Sequence, residues 1–281
     1  MTTSTLLAPP AATRTERRIG QVLGRRPGPT LICCGSMHGN EPAGYHALKK
    51  VFAQLENRRD EIRGEFLGLV GNRAALAAGR RFLAADLNRH WSAQRVVASR
   101  TGALAESPIP EDHELHQLRQ EMEEAFGRAR GPAHLVDLHT TSSDSPAFVV
   151  MADTLRNREF ALQFPSPIIL GLEEELEGTM TDYVMNLGHV AMGFEGGRHD
   201  DPASIDLCEA AIWIALVAAE VLDAAATPEL EPSQALLERI SKGLPRVFEV
   251  RYRHPVQPED GFVMEPGFAS FQAISTGQLL A

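Results

Sequence analysis

The stretch TLICCGSMHGNE, residues 30–41, places a short apolar run that ends at Gly35 directly before a polar loop. A continuous apolar run of this length, ended by a turn residue, is typical of a strand buried on both faces. The residues after the loop, Ala43 to Leu55, have the apolar spacing of a helix. The stretch therefore predicts a central strand, a loop and a helix in succession.

The same alternation of apolar runs and helical segments continues along the chain. Asp112 to Arg130 has an acidic start and a basic end, as the helix dipole prefers, and predicts an amphipathic helix. Strands that alternate with helices imply an α/β sandwich with helices on both sides of a largely parallel sheet. The further predicted strands are Phe66–Gly71, His134–His139, Phe148–Met151, Pro167–Leu170 and Val190–Phe194.

The composition changes after about residue 225. The segment 224–232, AAATPELEP, is typical of a linker, and residues 245–252 alternate between apolar and polar types. Residues 261–271 are rich in Gly, Pro and Phe. We therefore expect a catalytic domain over 1–225 and a small β-rich module over 226–281.

Charge and hydropathy exclude two classes of partner. The 281 residues carry 27 basic and 37 acidic side chains, a net charge of −10, so no basic surplus exists to neutralise nucleic-acid phosphates. The longest apolar stretch, Ala210 to Leu222, is short for a membrane span and contains Glu220. It predicts a buried helix.

Three cysteines cannot form a disulfide framework. Cys33 and Cys34 are adjacent in the predicted strand and should point to opposite faces, while Cys208 stands alone. Buried, reduced thiols favour a cytoplasmic protein. The first twenty residues lack a continuous apolar core after a basic start, so they predict a lead-in segment and no signal peptide.

A candidate metal site comes from His38, Glu41 and His139, each of which follows or ends an apolar run. Two imidazoles and a carboxylate are a ligand set that catalytic zinc uses, with a fourth position left open. Taken alone, His38 and Glu41 are weak evidence for a metal site, because a helix-start histidine and an exposed glutamate are the simpler interpretation. Asp137 either orients His139 or serves only loop amides, and the sequence leaves both readings open.

Two further segments carry candidate functional groups. Residues 81–89, RFLAADLNR, place Arg81, Asn88 and Arg89 in one loop, where they would form a carboxylate clamp or, alternatively, ordinary surface ion pairs. Glu195 follows a buried strand and precedes two glycines that allow close backbone approach. A partly desolvated glutamate near a cation is a good general base, and a surface glutamate is the alternative.

Other polar residues are interpreted as structural or solvent-facing. His90 favours a packing role, and His113 and His116 are expected to face solvent on their helix. His199 has a role that the sequence leaves open. The acidic run 173–177 is expected to be a solvated face.

Four segments together resemble the succinylglutamate desuccinylase/aspartoacylase family, a branch of the zinc-carboxypeptidase-like fold. The resemblance covers most of the chain up to about residue 225 and implies a three-layer α/β sandwich with a mostly parallel mixed sheet. The matching pieces, in the family's order, are HGNEPAG (38–44), RFLAADLNR (81–89), DLHTT (137–141) and FEGG (194–197).

The resemblance implies one Zn²⁺ per chain, held by His38, Glu41 and His139. It also implies that Glu195 is the catalytic base. The expected activity is hydrolysis of an N-acyl amino acid or a related small amide by a metal-bound water, with that small molecule as the partner. Whether the protein forms a homo-oligomer is left open by the sequence.

Within the same resemblance, Arg81 polarises the scissile carbonyl, and Asn88 with Arg89 grips the substrate carboxylate. Some members carry another arginine about ten residues before the base, where this chain has 185–187, MNL. This departure argues against substrates derived from aspartate or glutamate. Bacterial members continue beyond this chain's length, so we expect an incomplete C-terminal β-module and no counterpart of the tyrosine that some of them add.

Two rival functions share these residues. A zinc carboxypeptidase acting on a peptide or a cell-wall fragment would use the same metal and base. A non-catalytic zinc-binding member would keep the ligands without turnover.

Overall fold

The computed structural model describes residues 15–281, which contain eight strands and eight α-helices. The strands are β1 (Arg18–Leu23), β2 (Arg26–Gly35), β3 (Arg63–Val70), β4 (His134–Thr141), β5 (Phe148–Val150), β6 (Ile168–Leu170), β7 (Val190–Arg198) and β8 (Val247–Glu249). The helices are α1 (Ala43–Leu55), α2 (Arg73–Ala78), α3 (Ala93–Arg100), α4 (Pro110–Arg128), α5 (Leu155–Ala161), α6 (Met180–Asn186), α7 (Ala203–Ala218) and α8 (Leu230–Ile240).

All eight strands belong to one sheet in the order β1-β3-β2-β4-β7-β5-β6-β8. The β3–β2, β2–β4, β4–β7, β5–β6 and β6–β8 pairs are parallel, whereas β1–β3 and β7–β5 are antiparallel. The sheet is therefore mixed and mostly parallel, which confirms the predicted fold class.

Two apolar clusters lie on opposite faces of the sheet. One includes Leu48 of α1 and Ile212 of α7, and the other includes Leu118 of α4 and Val184 of α6. Cys33 belongs to the first cluster and its neighbour Cys34 to the second, as the alternation of a strand demands. The result is the expected three-layer arrangement of helix, sheet and helix.

Helix α7 accounts for most of the long apolar stretch. It packs against α1 and α8, and its residues from Ala210 to Leu216 are buried. The helix ends at Ala218, and Glu220 in the following turn has a φ of 59°. Within residues 15–281, no helix has both the length and the apolar character needed to cross a membrane.

Strand β1 was not predicted. Arg18–Leu23 pairs with β3 at the edge of the sheet, whereas the sequence predicted a lead-in segment up to residue 20. Residues 1–14 of that predicted segment lie outside the described part of the chain. An edge strand with only one buried neighbour has a weak apolar signal, which explains the miss.

The region after residue 225 begins with α8, which packs on α7. Its short strand β8 pairs in parallel with β6 and so extends the main sheet. The remaining described residues after β8 contain turns and a short 3-10 helix, Pro258–Asp260. A division into two domains at residue 225 remains a prediction.

Candidate metal centre and cavity

The candidate site lies at the carboxyl ends of three adjacent parallel strands, β2, β4 and β7, where open α/β sheets bind ligands. His38 and Glu41 follow β2, His139 lies near the end of β4, and Glu195 is on β7. His139 and Glu195 are register partners across the β4–β7 pair. The fold thus brings together four side chains that are up to 157 positions apart in sequence (195 − 38).

His38, Glu41 and His139 converge on one point. The Nδ1 atom of His38 lies 2.9 Å from Glu41 Oε1, and Nδ1 of His139 lies 2.9 Å from Glu41 Oε2. All three residues are buried, and one ligand atom from each lies within 4.8 Å of the others. Two imidazole nitrogens and a carboxylate in this arrangement fit the donor set of a metal site, so the group could hold a metal ion.

The outer ring nitrogen of each histidine contacts a further carboxylate. The Nε2 atom of His38 lies 3.0 Å from Asp86 Oδ1, and Nε2 of His139 lies 2.9 Å from Asp137 Oδ2. A carboxylate on the outer ring nitrogen fixes the ring and directs the other nitrogen inward. Asp137 therefore contacts His139 directly, which settles the two readings that the sequence left open.

The electrostatics of the group favour an ionised carboxylate. Burial alone would raise the pKa of Glu41, but hydrogen bonds from His139 and His38 outweigh burial and hold the pKa well below its usual range. An ionised carboxylate is the state that binds a cation. The same network raises the pKa of His139 despite the opposing effect of burial.

Glu195 differs from Glu41 because neither of its oxygens has a hydrogen-bond partner among the described residues. Its Oε2 atom is sealed from solvent and accepts no hydrogen bond from the described residues. Burial raises the pKa of Glu195 to about 7. A carboxyl group that exchanges its proton near neutral pH is suited to general acid–base chemistry.

The glycines beside Glu195 are needed for packing. A Cβ atom on Gly196 would lie 2.5 Å from the Sγ atom of Cys208, and Gly197 has a φ of 90°. Both observations agree with the close backbone approach that the sequence predicted.

The loop that carries the two metal-site residues after β2 is joined to the arginine-containing segment. The backbone N–H of Gly39 donates to the carbonyl of Arg81 at 3.2 Å. A Cβ atom on Gly39 would lie 2.0 Å from the carbonyl carbon of Ala75, so this contact needs glycine. The two motifs are therefore one packed unit.

The structure places Arg81, Asn88 and Arg89 around the same cavity. Arg81 Nη2 lies 2.9 Å from Asp86 Oδ2, and its Nη1 lies 3.5 Å from Glu41 Oε1.

Asn88 Oδ1 accepts a hydrogen bond from the backbone N–H of Met180 at 3.0 Å, and the Nδ2 group of Asn88 lies 3.3 Å from His139 Nε2. Arg89 is exposed and makes no ion pair with the described residues.

The cavity has a volume of about 310 Å³. It contains His199, whose Nδ1 lies 2.7 Å from Thr140 Oγ1. His90 lies outside it and binds Asp112 at 2.9 Å, as its predicted packing role requires. Residues 185–187 are also absent from the described lining.

One interpretation of the sequence is wrong in part. Glu174, Glu175 and Glu177 are exposed, as a solvated acidic face should be, but Glu173 is buried and lines the cavity. Its burial depends on hydrogen bonds from Thr179 and Thr181, residues that the acidic run does not contain. No local pattern could have distinguished it from its neighbours.

Glu111 and Asp86 are further residues that the sequence did not single out. Glu111 is fully buried and accepts hydrogen bonds from the backbone N–H groups of Leu83, Ala84 and Ala85 at 2.7–3.3 Å. It thereby fixes the chain between Arg81 and Asn88. The helix was predicted to begin at Asp112, one residue after Glu111, whereas it begins at Pro110, and nothing local indicated that Glu111 binds this loop.

Comparison with known proteins agrees with the four motifs. The family model of the succinylglutamate desuccinylase/aspartoacylase catalytic domain matches residues 27–210. The chain is 28% identical over 123 residues to a succinylglutamate desuccinylase of Serratia proteamaculans (strain 568). This aligned segment covers 43% of this chain and 35% of that protein. The matched segment thus spans about a third of this curated relative.

Solved structures with related names share the fold. The crystal structure of a succinylglutamate desuccinylase/aspartoacylase from Rhodobacter sphaeroides aligns with a TM-score of 0.55 and 21% identity over 72% of this chain and 59% of that one. A succinylglutamate desuccinylase from Vibrio parahaemolyticus aligns with a TM-score of 0.61 and 17% identity over 92% and 74% of the two chains.

The family model covers more than half of the chain, and the matched range contains the three candidate ligands and Glu195. This chain therefore belongs to the succinylglutamate desuccinylase/aspartoacylase family.

Proposed function

We propose that this protein is a zinc-dependent hydrolase that removes the acyl group from an N-acyl amino acid or a related small amide. The observation that carries the proposal is the placement of Glu195, whose buried oxygen lacks a partner, on the strand position next to His139. Unpaired buried carboxylate oxygens are costly and are retained where chemistry needs them. The family membership supports a deacylase.

His38, Glu41 and His139 would hold the metal. Zinc bound there would activate water for attack and polarise the amide carbonyl. The donor set fits zinc because both imidazoles present Nδ1 toward the same carboxylate while their outer nitrogens are held by Asp86 and Asp137.

Glu195 would move the proton. Its Oε1, the oxygen that is not sealed, would accept a proton from the attacking water and then deliver the proton to the leaving nitrogen. A pKa of about 7 suits the carboxyl group both to accept and to donate this proton, because neither protonation state is strongly preferred at neutral pH.

Arg81 would stabilise the developing oxyanion, and Asn88 with Arg89 would bind the substrate carboxylate. Arg81 is held by Asp86 at the edge of the metal site, so its charge is preorganised. Arg89 is exposed and free of ion pairs with the described residues, which leaves its planar guanidinium available for a carboxylate. The fixed amide of Asn88 adds a neutral donor beside it.

A deacylation screen with and without added zinc tests the proposal. The substrates are the acetyl, succinyl and formyl derivatives of several amino acids, with dipeptides and a cell-wall peptide fragment assayed beside them. Zinc-dependent release of a free amino acid from an acyl derivative would support the proposal. A preference for peptides would replace it with a carboxypeptidase, and zinc binding without turnover of any substrate would indicate a non-catalytic member.

A further inference from the structure

Glu173 is a buried acidic residue in the wall of the cavity. It begins a short 3-10 helix, Glu173–Glu175, and retains only 8% of its exposed surface. It also lies among the residues that line the cavity together with the metal-site residues. A carboxylate in this position is expensive to desolvate unless a partner compensates it.

The protein satisfies only one of its two oxygens. Oε1 accepts hydrogen bonds from the hydroxyl of Thr179, at 2.7 Å, and from that of Thr181. Thr179 is itself fixed, because its Oγ1 accepts from the backbone N–H of Asp182 at 3.0 Å at the start of α6. Oε2 makes no hydrogen bond and no ion pair with the described residues. Because Oε2 is also not sealed from solvent and Glu173 lines the cavity, we infer that Oε2 is the oxygen available to a bound molecule.

No cationic side chain of the cavity neutralises Glu173. Arg81 is paired with Asp86 and Glu41, and Arg89 makes no ion pair with any residue in the described range 15–281. The cavity therefore presents an unpaired guanidinium and an unpaired carboxylate at the same time. This pattern is complementary to a small molecule that carries both a carboxylate and an ammonium group.

We propose that Glu173 binds a positively charged amino group of the substrate, so that the preferred substrates are N-acyl diamino acids. The proposal rests on the proposed function for the identity of the acyl amide, and it adds the chemistry of the side chain. Arg89 and Asn88 would take the α-carboxylate, while Glu173 would take the side-chain ammonium. A charged hydrogen bond formed in a partly desolvated cavity contributes enough to set selectivity.

Matched substrate pairs test this selectivity. The Nα-acetyl and Nα-succinyl derivatives of 2,4-diaminobutyrate, ornithine and lysine are compared with those of 2-aminobutyrate, norvaline and norleucine, which have the same carbon chains without the amine. For at least one chain length, we expect kcat/KM to be about 10-fold or more higher for the cationic member. Equal or higher values for the neutral member in every pair would overturn the proposal.

The variant Glu173→Gln assigns the selectivity to this residue. Glutamine keeps the volume and an acceptor oxygen for Thr179 and Thr181, so only the charge is removed. The ratio of cationic to neutral kcat/KM should fall about 10-fold or more. Glu175→Gln is the matched control, since Glu175 lies on the same short helix but is exposed and does not line the cavity. An unchanged ratio in Glu173→Gln would contradict the proposal.

A binding measurement separates this inference from the proposed function. The zinc-loaded protein is titrated calorimetrically with 2,4-diaminobutyrate, ornithine and lysine and with their three neutral counterparts. Tighter binding of a diamino acid that is lost in Glu173→Gln supports the ammonium site even if no acyl derivative is hydrolysed. Hydrolysis of acyl amino acids without any preference for diamino acids would support the deacylase activity and contradict the ammonium site.

Discussion

His139 on β4 and Glu195 on β7 occupy paired positions in adjacent parallel strands. Side chains at paired positions leave the same face of a sheet, and a shift of one residue would turn Glu195 to the opposite face. The candidate metal ligand and the candidate base are therefore brought together by strand register and not by loop conformation.

The first prediction concerns the metal. His139→Ala removes one of three buried ligands, so the variant should bind less than a tenth of the zinc of the parent protein after dialysis against equal zinc. In the parent protein, zinc at 100 times its Kd should raise the free energy of unfolding by about 2.7 kcal/mol. His113→Ala, on the exposed side of α4, is the control and should bind like the parent. Full zinc occupancy in His139→Ala would contradict the assigned site.

The second prediction concerns the carboxylates behind the histidines. Asp86→Asn and Asp137→Asn weaken the hydrogen bonds that orient His38 and His139, and each should raise the Kd for zinc about 10- to 100-fold. Competition with a chromophoric chelator measures this change. Asp60→Asn, at an exposed ion pair, should leave the Kd unchanged. An unaltered Kd in both site variants would show that these carboxylates do not support the metal.

The third prediction concerns Glu111, which fixes the loop between Arg81 and Asn88. Burial opposes its ionisation, but hydrogen bonds from the Leu83 backbone and the Asn72 side chain lower its pKa. Glu111→Gln loses this charge and should reduce the free energy of unfolding by about 1.5–3 kcal/mol. KM should rise together with this loss, because the loop carries the substrate-binding groups. Urea unfolding and steady-state kinetics measure the two effects, with exposed Glu106→Gln as the control; a stable variant with unchanged KM would contradict the prediction.

The fourth prediction concerns stability in acid. Burial, reinforced by the neighbouring His189, lowers the pKa of His134 to about 4. Between its ordinary pKa and this value, the unfolded chain binds a proton that the folded protein does not, so stability falls as the pH falls. Between pH 7 and pH 5, the contribution of His134 should lower the free energy of unfolding by about 2 kcal/mol.

Urea unfolding of His134→Gln and of the parent protein at both pH values isolates this contribution, because other groups cancel in the difference. On acidification, the free energy of unfolding of the parent protein should fall by about 2 kcal/mol more than that of the variant. Equal losses would show that His134 titrates normally in the folded protein.

Much of the fold could be predicted because its signals are local. The apolar spacing of Ala43–Leu55 gave the bounds of α1 as the structure has them, and the apolar runs of β2, β4 and β7 marked the three strands that carry the site. Strand β1 depends on pairing with β3, a contact between residues far apart in sequence, so its own residues contained too little information.

The metal-site residues were recognisable because their chemical types recur in four ordered motifs. Glu173 was missed because its burial comes from Thr179, Thr181 and the cavity, whereas its immediate neighbours are all acidic and mostly exposed. Asp86 was quoted within a motif, but its contact with His38 spans 48 positions and depends on the packed loop. Tertiary contacts, and not local pattern, decided these roles.

The most direct test of the central claim is Glu195→Gln, assayed for zinc content and for turnover of the acyl amino acid that the screen selects. Glutamine cannot accept the proton of the attacking water, but it leaves His38, Glu41 and His139 intact. We predict zinc content equal to that of the parent protein and a kcat lower by about 100-fold or more. A fully loaded Glu195→Gln enzyme that turns over substrate at the parent rate would contradict the account.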